Sequence, residues 1–176
     1  VTVEDIALAA EFGKGTLYQY FESKEEIVAY VIQRGISELC QRIEAECLQE
    51  TDLYVALNRL IELQYEFHAT YGRLFLSLLR RNLDGLLTSQ YFEDVKKRYE
   101  AKTQLTAKVL ERGIDSGVFV SAESYRLARA VESVVKGFVV EGFERKQQKP
   151  TASDIGLIKQ VLLNGIIKRR GENDNG

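Results

Sequence analysis

The chain has 176 residues, with 24 Lys and Arg against 26 Asp and Glu, so its net charge is −2 at neutral pH. This balance gives no global electrostatic reason to expect nucleic acid or an anionic membrane as a partner. A hydrophobic share of 45% with a single Pro indicates a globular, helical protein rather than a loop-rich sandwich or barrel. Two Cys exclude a disulfide framework or a zinc cage. No apolar run approaches the roughly 20 residues of a membrane span.

The first elements in chain order are two short helices and one long helix. Thr2 caps a predicted helix over residues 3–10, and a second short helix is predicted over residues 14–21. Ser23 and Glu26 then form a capping box, which opens a long helix. The apolar positions of this helix recur at intervals of three and four: Val28, Ile32, Ile36, Leu39, Ile43 and Cys47.

Five more helices are predicted beyond it. Thr51 or Asp52 caps a helix that is expected to end near Gly72, followed by a separate short, buried helix over residues 74–83 and a turn at residues 82–85. Residues 89–115 and 122–146 carry long amphipathic patterns, separated by a segment with the β-prone run at residues 118–120. Pro150 breaks the chain before a last helix through Ile166. The predicted fold class is all-α.

A helix-turn-helix layout opens the chain, since two short helices joined by a tight turn precede a capped long helix. The string Lys14-Gly-Thr-Leu-Tyr-Gln-Tyr-Phe-Glu-Ser-Lys-Glu25, with Thr2 and Asp5-Ile-Ala upstream, resembles the TetR/AcrR family of bacterial repressors. The resemblance runs over some two dozen positions, while the rest of the chain resembles the family only in its helical layout. It implies an N-terminal helix-turn-helix followed by a TetR-like C-terminal helical bundle.

The motif predicts a set of DNA contacts. Helix N-termini and hydroxyls can meet phosphates, Gly15 permits close backbone approach, and Lys and Gln side chains can read bases. The resemblance implies phosphate contacts by Tyr18, Tyr20 and Lys24. The predicted DNA-binding residues are Thr2, Lys14, Gly15, Thr16, Tyr18, Gln19, Tyr20 and Lys24.

The chain departs from the family pattern in two places. Glu11-Phe12-Gly13 stands where the family has Gly-Val-Ser, so a shifted turn is expected. The first helix of the family's DNA-binding module would lie before Val1. We therefore expect residues 1–27 to be a partial helix-turn-helix domain, residues 28–171 an effector-binding and dimerisation domain, and residues 172–176 a frayed tail.

The resemblance implies a homodimer on a palindromic operator, because two half-sites require two copies of the helix pair at a fixed spacing. The last two long helices are the expected interface, as in the family. The predicted interface residues are Val131, Val135, Phe138, Gly142, Ile158 and Leu162.

The resemblance also implies a small effector, which binds within the central helices and releases the protein from DNA. We expect this effector to be apolar. Its predicted contacts are the aromatic and polar residues Tyr65, His68, Tyr71, Phe75, Phe92 and Tyr99, each of which also fits an ordinary core position.

Other function classes fit less well. An enzyme is not expected, because the single His excludes a His-pair metal site and neither Cys lies in a Cys-x-x-Cys motif. A helical ligand-binding or scaffolding protein without DNA affinity remains the alternative. The sequence predicts a DNA-binding repressor of the bacterial cytoplasm, with no membrane partner, cofactor or metal.

Overall fold

The computed structural model describes residues 20–81, 90–144 and 152–167. Within this part of the chain the fold is all-α, as predicted. Its helices are α1 (Lys24–Arg42), α2 (Leu53–Arg81), α3 (Gln90–Asp115), α4 (Ser124–Glu144) and α5 (Ala152–Ile166). The predicted helices over residues 3–10 and 14–21, the turn at 82–85, the break at Pro150 and the tail at 172–176 lie outside the described residues.

The start of α1 confirms the predicted capping box. The Ser23 hydroxyl accepts the backbone N–H of Glu26 at 3.1 Å. The Glu26 carboxylate in turn accepts the backbone N–H of Glu22 at 2.6 Å, one residue upstream of the usual position. All six predicted apolar positions of this stretch are buried. The helix is therefore anchored at its first turn and along its whole inner face.

A π-helical turn, Ile43–Leu48, follows α1 and was not predicted. The Arg112 guanidinium of α3 covers its end, donating to the backbone carbonyl oxygens of Cys47, Leu48 and Glu50 at 2.7–3.0 Å. These carbonyls are among those that a helix end leaves without intrahelical partners. Arg112 thus fixes the place where the chain turns from α1 into α2.

Helix α2 corrects one prediction. Asp52 caps it by accepting the N–H groups of Tyr54 and Val55, but the helix runs unbroken from Leu53 to Arg81 rather than ending near Gly72. Gly72 lies in mid-helix, where a Cβ would come within 2.9 Å of the Phe143 ring of α4. The glycine allows two helices to approach closely and does not end the first.

The connection between α3 and α4 contains a β-bridge, in which Phe119 of the predicted β-prone run pairs with Ile167. Gly117 takes a φ of 70°, and the Phe119 ring covers Gly113, where a Cβ would lie 2.0 Å from the ring. This loop joins the end of α3 to the end of α5.

One hydrophobic core unites the five helices, including Leu57, Leu60, Leu110 and Val135. Among the described residues, no helix is both long and apolar enough to cross a bilayer.

Candidate effector site and DNA-facing end

Two of the predicted DNA contacts are described, and both lie at the start of α1. Tyr20 is 78% exposed, and Lys24 is the first residue of the helix, next to its Ser23 cap. A cation and an exposed phenol beside a helix N-terminus can meet phosphate oxygens. Thr2, Lys14, Gly15, Thr16, Tyr18 and Gln19 lie outside the described residues.

The predicted domain boundary at residues 27 and 28 falls inside α1, where both Ile27 and Val28 are buried. The start of α1, where two of the predicted DNA contacts lie, and the helical bundle are therefore joined by a continuous helix. A displacement at one end of α1 can be transmitted to the other end.

An inner cavity lies between α1, α2, α3 and α4. Its volume is about 20 Å³, and its lining includes Ile32, His68, Tyr71, Tyr99 and Lys136. A space of this size holds about one water molecule, so the helices are closely packed here. Three of the predicted effector residues, His68, Tyr71 and Tyr99, meet at this cavity.

A wider groove of about 570 Å³ runs between α3 and α4. Phe92 and Tyr99 line it, together with Glu132 and Lys136. Because Tyr99 and Lys136 also line the inner cavity, the two spaces share one wall. The groove and the inner cavity are therefore adjacent.

The remaining predicted effector residues lie elsewhere. Tyr65 lines neither space, and burial raises its pKa to about 12. The side chain of Phe75 lies outside the described residues.

A buried polar cluster behind the groove was missed by the sequence analysis. Lys102 of α3 is fully buried, and its ammonium lies 2.8 Å from a carboxylate oxygen of Glu132 on α4. The same ammonium donates to the Gln64 side chain of α2 at 3.3 Å, and the Thr103 hydroxyl donates to the other Glu132 oxygen at 3.0 Å. Amphipathic periodicity places Lys102 on the inner face of α3, but the pattern alone does not identify a partner thirty residues away.

The cluster is electrostatically coupled to the cavity wall. The Lys102 ammonium lies 4.0 Å from the centre of the Tyr99 ring, and the Tyr99 hydroxyl lies 3.5 Å from Nε2 of His68. Burial, reinforced by the nearby ammonium groups of Lys102 and Lys136, lowers the pKa of His68 to about 3. Burial also lowers the pKa of Lys102, against the opposing influence of Glu132. His68 is therefore neutral at physiological pH and belongs to the core.

The predicted interface residues mostly lie in the core of the single chain. Val131, Val135 and Ile158 have no exposed surface and Leu162 only 7%, which leaves little surface for a partner subunit to cover. Phe138 and Gly142 are half-buried. The exposed apolar side chains of α5 are instead Leu157 and Val161, about half exposed.

No group of three or more His, Cys, Asp or Glu side chains that could hold a metal ion occurs in the described part of the chain. Cys40 and Cys47 are free thiols, and burial raises the pKa of Cys47 to about 11.

Comparison with known proteins identifies the N-terminal segment first. Residues 1–31 match the profile of bacterial regulatory proteins of the tetR family. The chain is 25% identical over 171 residues to the HTH-type transcriptional regulator YfiR of Bacillus subtilis, covering 95% of this chain and 82% of that protein.

Solved structures share the whole fold. A transcriptional regulator from Saccharomonospora viridis in complex with choline has a TM-score of 0.73 at 20% identity, covering 96% of this chain and 88% of that one. FadR from Bacillus subtilis in complex with stearoyl-CoA has a TM-score of 0.68 at 20% identity, covering 94% and 89%. The family profile at residues 1–31, the HTH-type relative along the chain and the shared fold together support a DNA-binding transcriptional regulator of the tetR family.

Proposed function

We propose that the chain is a ligand-responsive repressor, which binds a palindromic operator as a homodimer and is released by a small, mainly apolar effector. The observation that carries the proposal is the course of α1. This helix has Lys24 as its first residue and Ile32 at the inner cavity, two helical turns further on. One rigid element therefore contacts both the DNA-facing end and the effector site.

The volume of the cavity supports a closed, effector-free state. A ligand larger than one water molecule must separate the helices to enter, and Ile32 and Tyr71 are among the side chains that it would displace. Movement of α1 would change the spacing of the two DNA-binding ends. The effector can release DNA only through its higher affinity for the opened arrangement.

A second set of contacts supports transmission through α1. Arg42 at its end pairs with Glu46 of the π turn and Glu66 of α2, while Arg59 pairs with Glu46 and Glu62. Glu62 also accepts from Lys159 of α5. This network links α1 to the helix that carries the exposed Leu157 and Val161.

The homodimer is supported by the outer face of α5. Leu157 and Val161 lie one turn apart and are exposed, and a Cβ at Gly165, one turn further on, would meet nothing within 4 Å. Small and apolar residues on one exposed helix face are typical of a surface that a second subunit covers. We assign the interface to this face rather than to the buried residues predicted from sequence.

A gel-shift titration against the DNA upstream of the protein's own gene tests the proposal. We expect Lys24→Ala to weaken binding and to lower the slope of log K against log salt by roughly 1.8 per dimer, because two phosphate contacts are lost. Lys108→Ala is the matched control, since Lys108 is an exposed cation near the far end of α3.

Two results would contradict DNA binding through this end. One is an affinity that does not change with salt, and the other is an equal loss in both variants. Absence of any shift, even at low salt, would favour the alternative of a helical ligand-binding protein without DNA affinity. A chromosomal operator also implies a cytoplasmic location, which fractionation checks.

A further inference from the structure

The backbone of α1 is in close contact with an aromatic ring of α2. A Cβ at Gly35 would lie 2.5 Å from both Cε2 and Cζ of the Tyr71 ring, far inside van der Waals distance. Gly35 itself is buried. The Tyr71 ring therefore bears directly on the α1 backbone at Gly35, with no α1 side chain at that position to absorb a movement of the ring.

The same ring lines two spaces. Tyr71 and Phe67, one turn apart on α2, line the inner cavity of about 20 Å³ and also an outer groove of about 180 Å³ between α1 and α2. Their ring centroids lie 5.3 Å apart, so the two rings support each other. On α1, Ile32 lines the cavity, and Gly35, three residues further on, lines the groove. Tyr71 thus contacts both the cavity and the α1 backbone.

The phenol end of the ring faces α1. Burial raises the pKa of Tyr71, the Glu38 carboxylate raises it further, and the Arg34 guanidinium opposes the rise. Both of these charged residues belong to α1. This agrees with the close approach of Cζ to Gly35.

The far end of α1 is held in place. Arg42 donates to Glu66 of α2 at 2.8 Å, and the turn that follows is covered by Arg112. Along an ideal helix, Gly35 lies about 10 Å and Lys24 about 27 Å from Arg42. If α1 turns as a rigid rod about Arg42, Lys24 moves roughly two and a half times as far as Gly35.

We propose that Tyr71 is the positioning residue that couples the cavity to α1: a ligand that enlarges the cavity displaces the ring, and the ring displaces the α1 backbone at Gly35. The inference rests on the proposed function and names the contact through which release is transmitted. Enlarging either partner of this contact should therefore act as the effector does and weaken operator binding without any ligand.

The same gel-shift titration tests the inference, with the full-length protein and no ligand. Gly35→Ala should weaken operator binding at least about tenfold, a size usual for coupling between two sites. Adding Tyr71→Leu should restore the affinity to within about threefold of the parent protein, because the smaller side chain leaves room for the methyl group. Parent-like binding by Gly35→Ala, or no recovery in the double variant, overturns the inference.

Gly113→Ala is the matched control for overpacking. A Cβ at Gly113 would lie 2.0 Å from the Phe119 ring, closer than the Gly35 contact, but this contact joins α3 to the loop after it and does not involve α1. Operator affinity of Gly113→Ala should stay within about threefold of the parent value. An equal loss in Gly113→Ala and Gly35→Ala would assign the effect to general instability and overturn the inference.

Tyr71→Trp tests the same contact from α2 if circular dichroism shows that Gly35→Ala does not fold. The larger ring should also weaken operator binding, and parent-like binding by Tyr71→Trp overturns the inference. If the parent protein itself gives no shift, the proposed DNA binding fails and the inference fails with it. A shift by the parent protein with unaffected Gly35→Ala overturns the inference alone.

Discussion

Gly35 of α1 lies directly against the ring of Tyr71 of α2. A Cβ at Gly35 would come within 2.5 Å of two ring carbons, so the contact requires a glycine. Tyr71 also lines the inner cavity, which places this single ring between the proposed effector and α1.

Gly35→Ala is therefore expected to destabilise the protein by about 1–3 kcal/mol, the usual cost of overpacking. Tyr71→Leu in the same chain should recover part of this loss, because the smaller side chain leaves room for the methyl group. Urea unfolding of the two single variants and the double variant measures the coupling. Strictly additive losses would mean that the two residues do not press on each other.

Acid stability should depend on His68. Its pKa of about 3 in the folded protein lies below the ordinary value of 6.5, so the unfolded chain takes up a proton that the folded chain does not. The free energy of unfolding should fall as the pH decreases below about 6.5, by up to about 1.4 kcal/mol per unit, and continue to fall towards pH 3.

His68→Gln should remove this slope between pH 6 and pH 5. The salt-bridged carboxylates Glu46 and Glu62 have lowered pKa values and contribute only at more acidic pH, below their ordinary value of 4.5. Urea unfolding at several pH values tests this, and an unchanged slope in the variant would show that His68 takes up a proton in the folded state.

The buried pair of Lys102 and Glu132 should show strong coupling. Lys102→Met leaves the Glu132 carboxylate buried without its cation, which is expected to cost about 3–5 kcal/mol. Adding Glu132→Leu removes the orphaned charge and should restore most of the stability. Denaturant unfolding of the parent protein, the two single variants and the double variant measures the coupling free energy. A double variant less stable than both single variants would argue against an isolated ion pair.

Arg112 should stabilise the π turn. Arg112→Ala removes the donors to Cys47, Leu48 and Glu50 and is expected to cost about 1.5–3 kcal/mol. Arg112→Lys should recover only part of this, because an ammonium cannot span three carbonyls as a planar fork does. Thermal unfolding measures the stability losses of both Arg112 variants. The control is Arg126→Ala at an exposed position, which should change stability by no more than about 0.5 kcal/mol.

The oligomeric state should depend on the outer face of α5. Leu157→Glu with Val161→Glu places two carboxylates on the proposed interface and should yield monomers in light scattering after size exclusion. Val55→Glu is the control, because Val55 is similarly exposed, at 45%, but lies at the start of α2. A doubly substituted protein that stays dimeric would exclude this face as the interface.

Local signals in the sequence were sufficient for the helix starts and for the buried faces. Ser23 with Glu26, and Asp52, were identified from capping chemistry, which depends on a few neighbouring residues. Gly72 was misread as a helix end, because the sequence does not reveal the Phe143 ring that packs against it. A glycine that ends a helix and one that admits a neighbour look alike in a single chain.

The site depends on relationships across the chain, and these could be predicted only in part. His68, Tyr71 and Tyr99 were predicted as effector contacts from their aromatic and polar character. The structure places them at one cavity, while their contact with an effector stays a prediction. Lys102 and Glu132 were not predicted, because the sequence does not show that two charged side chains thirty residues apart pair with each other in the core. The interface residues stay a prediction, and Val131 and Val135 are buried within the single chain because the most apolar positions of a helix pack in its own subunit first.

The small cavity has a consequence for how sensitive the regulator is. The proposed effector must open its own space, so its apparent affinity would be the intrinsic affinity multiplied by the fraction of molecules already open. Core substitutions that make opening easier, even far from any ligand contact, would therefore change the effector concentration at which the regulated gene responds. Selection can adjust the threshold of such a switch through core packing while leaving the chemistry of ligand recognition untouched.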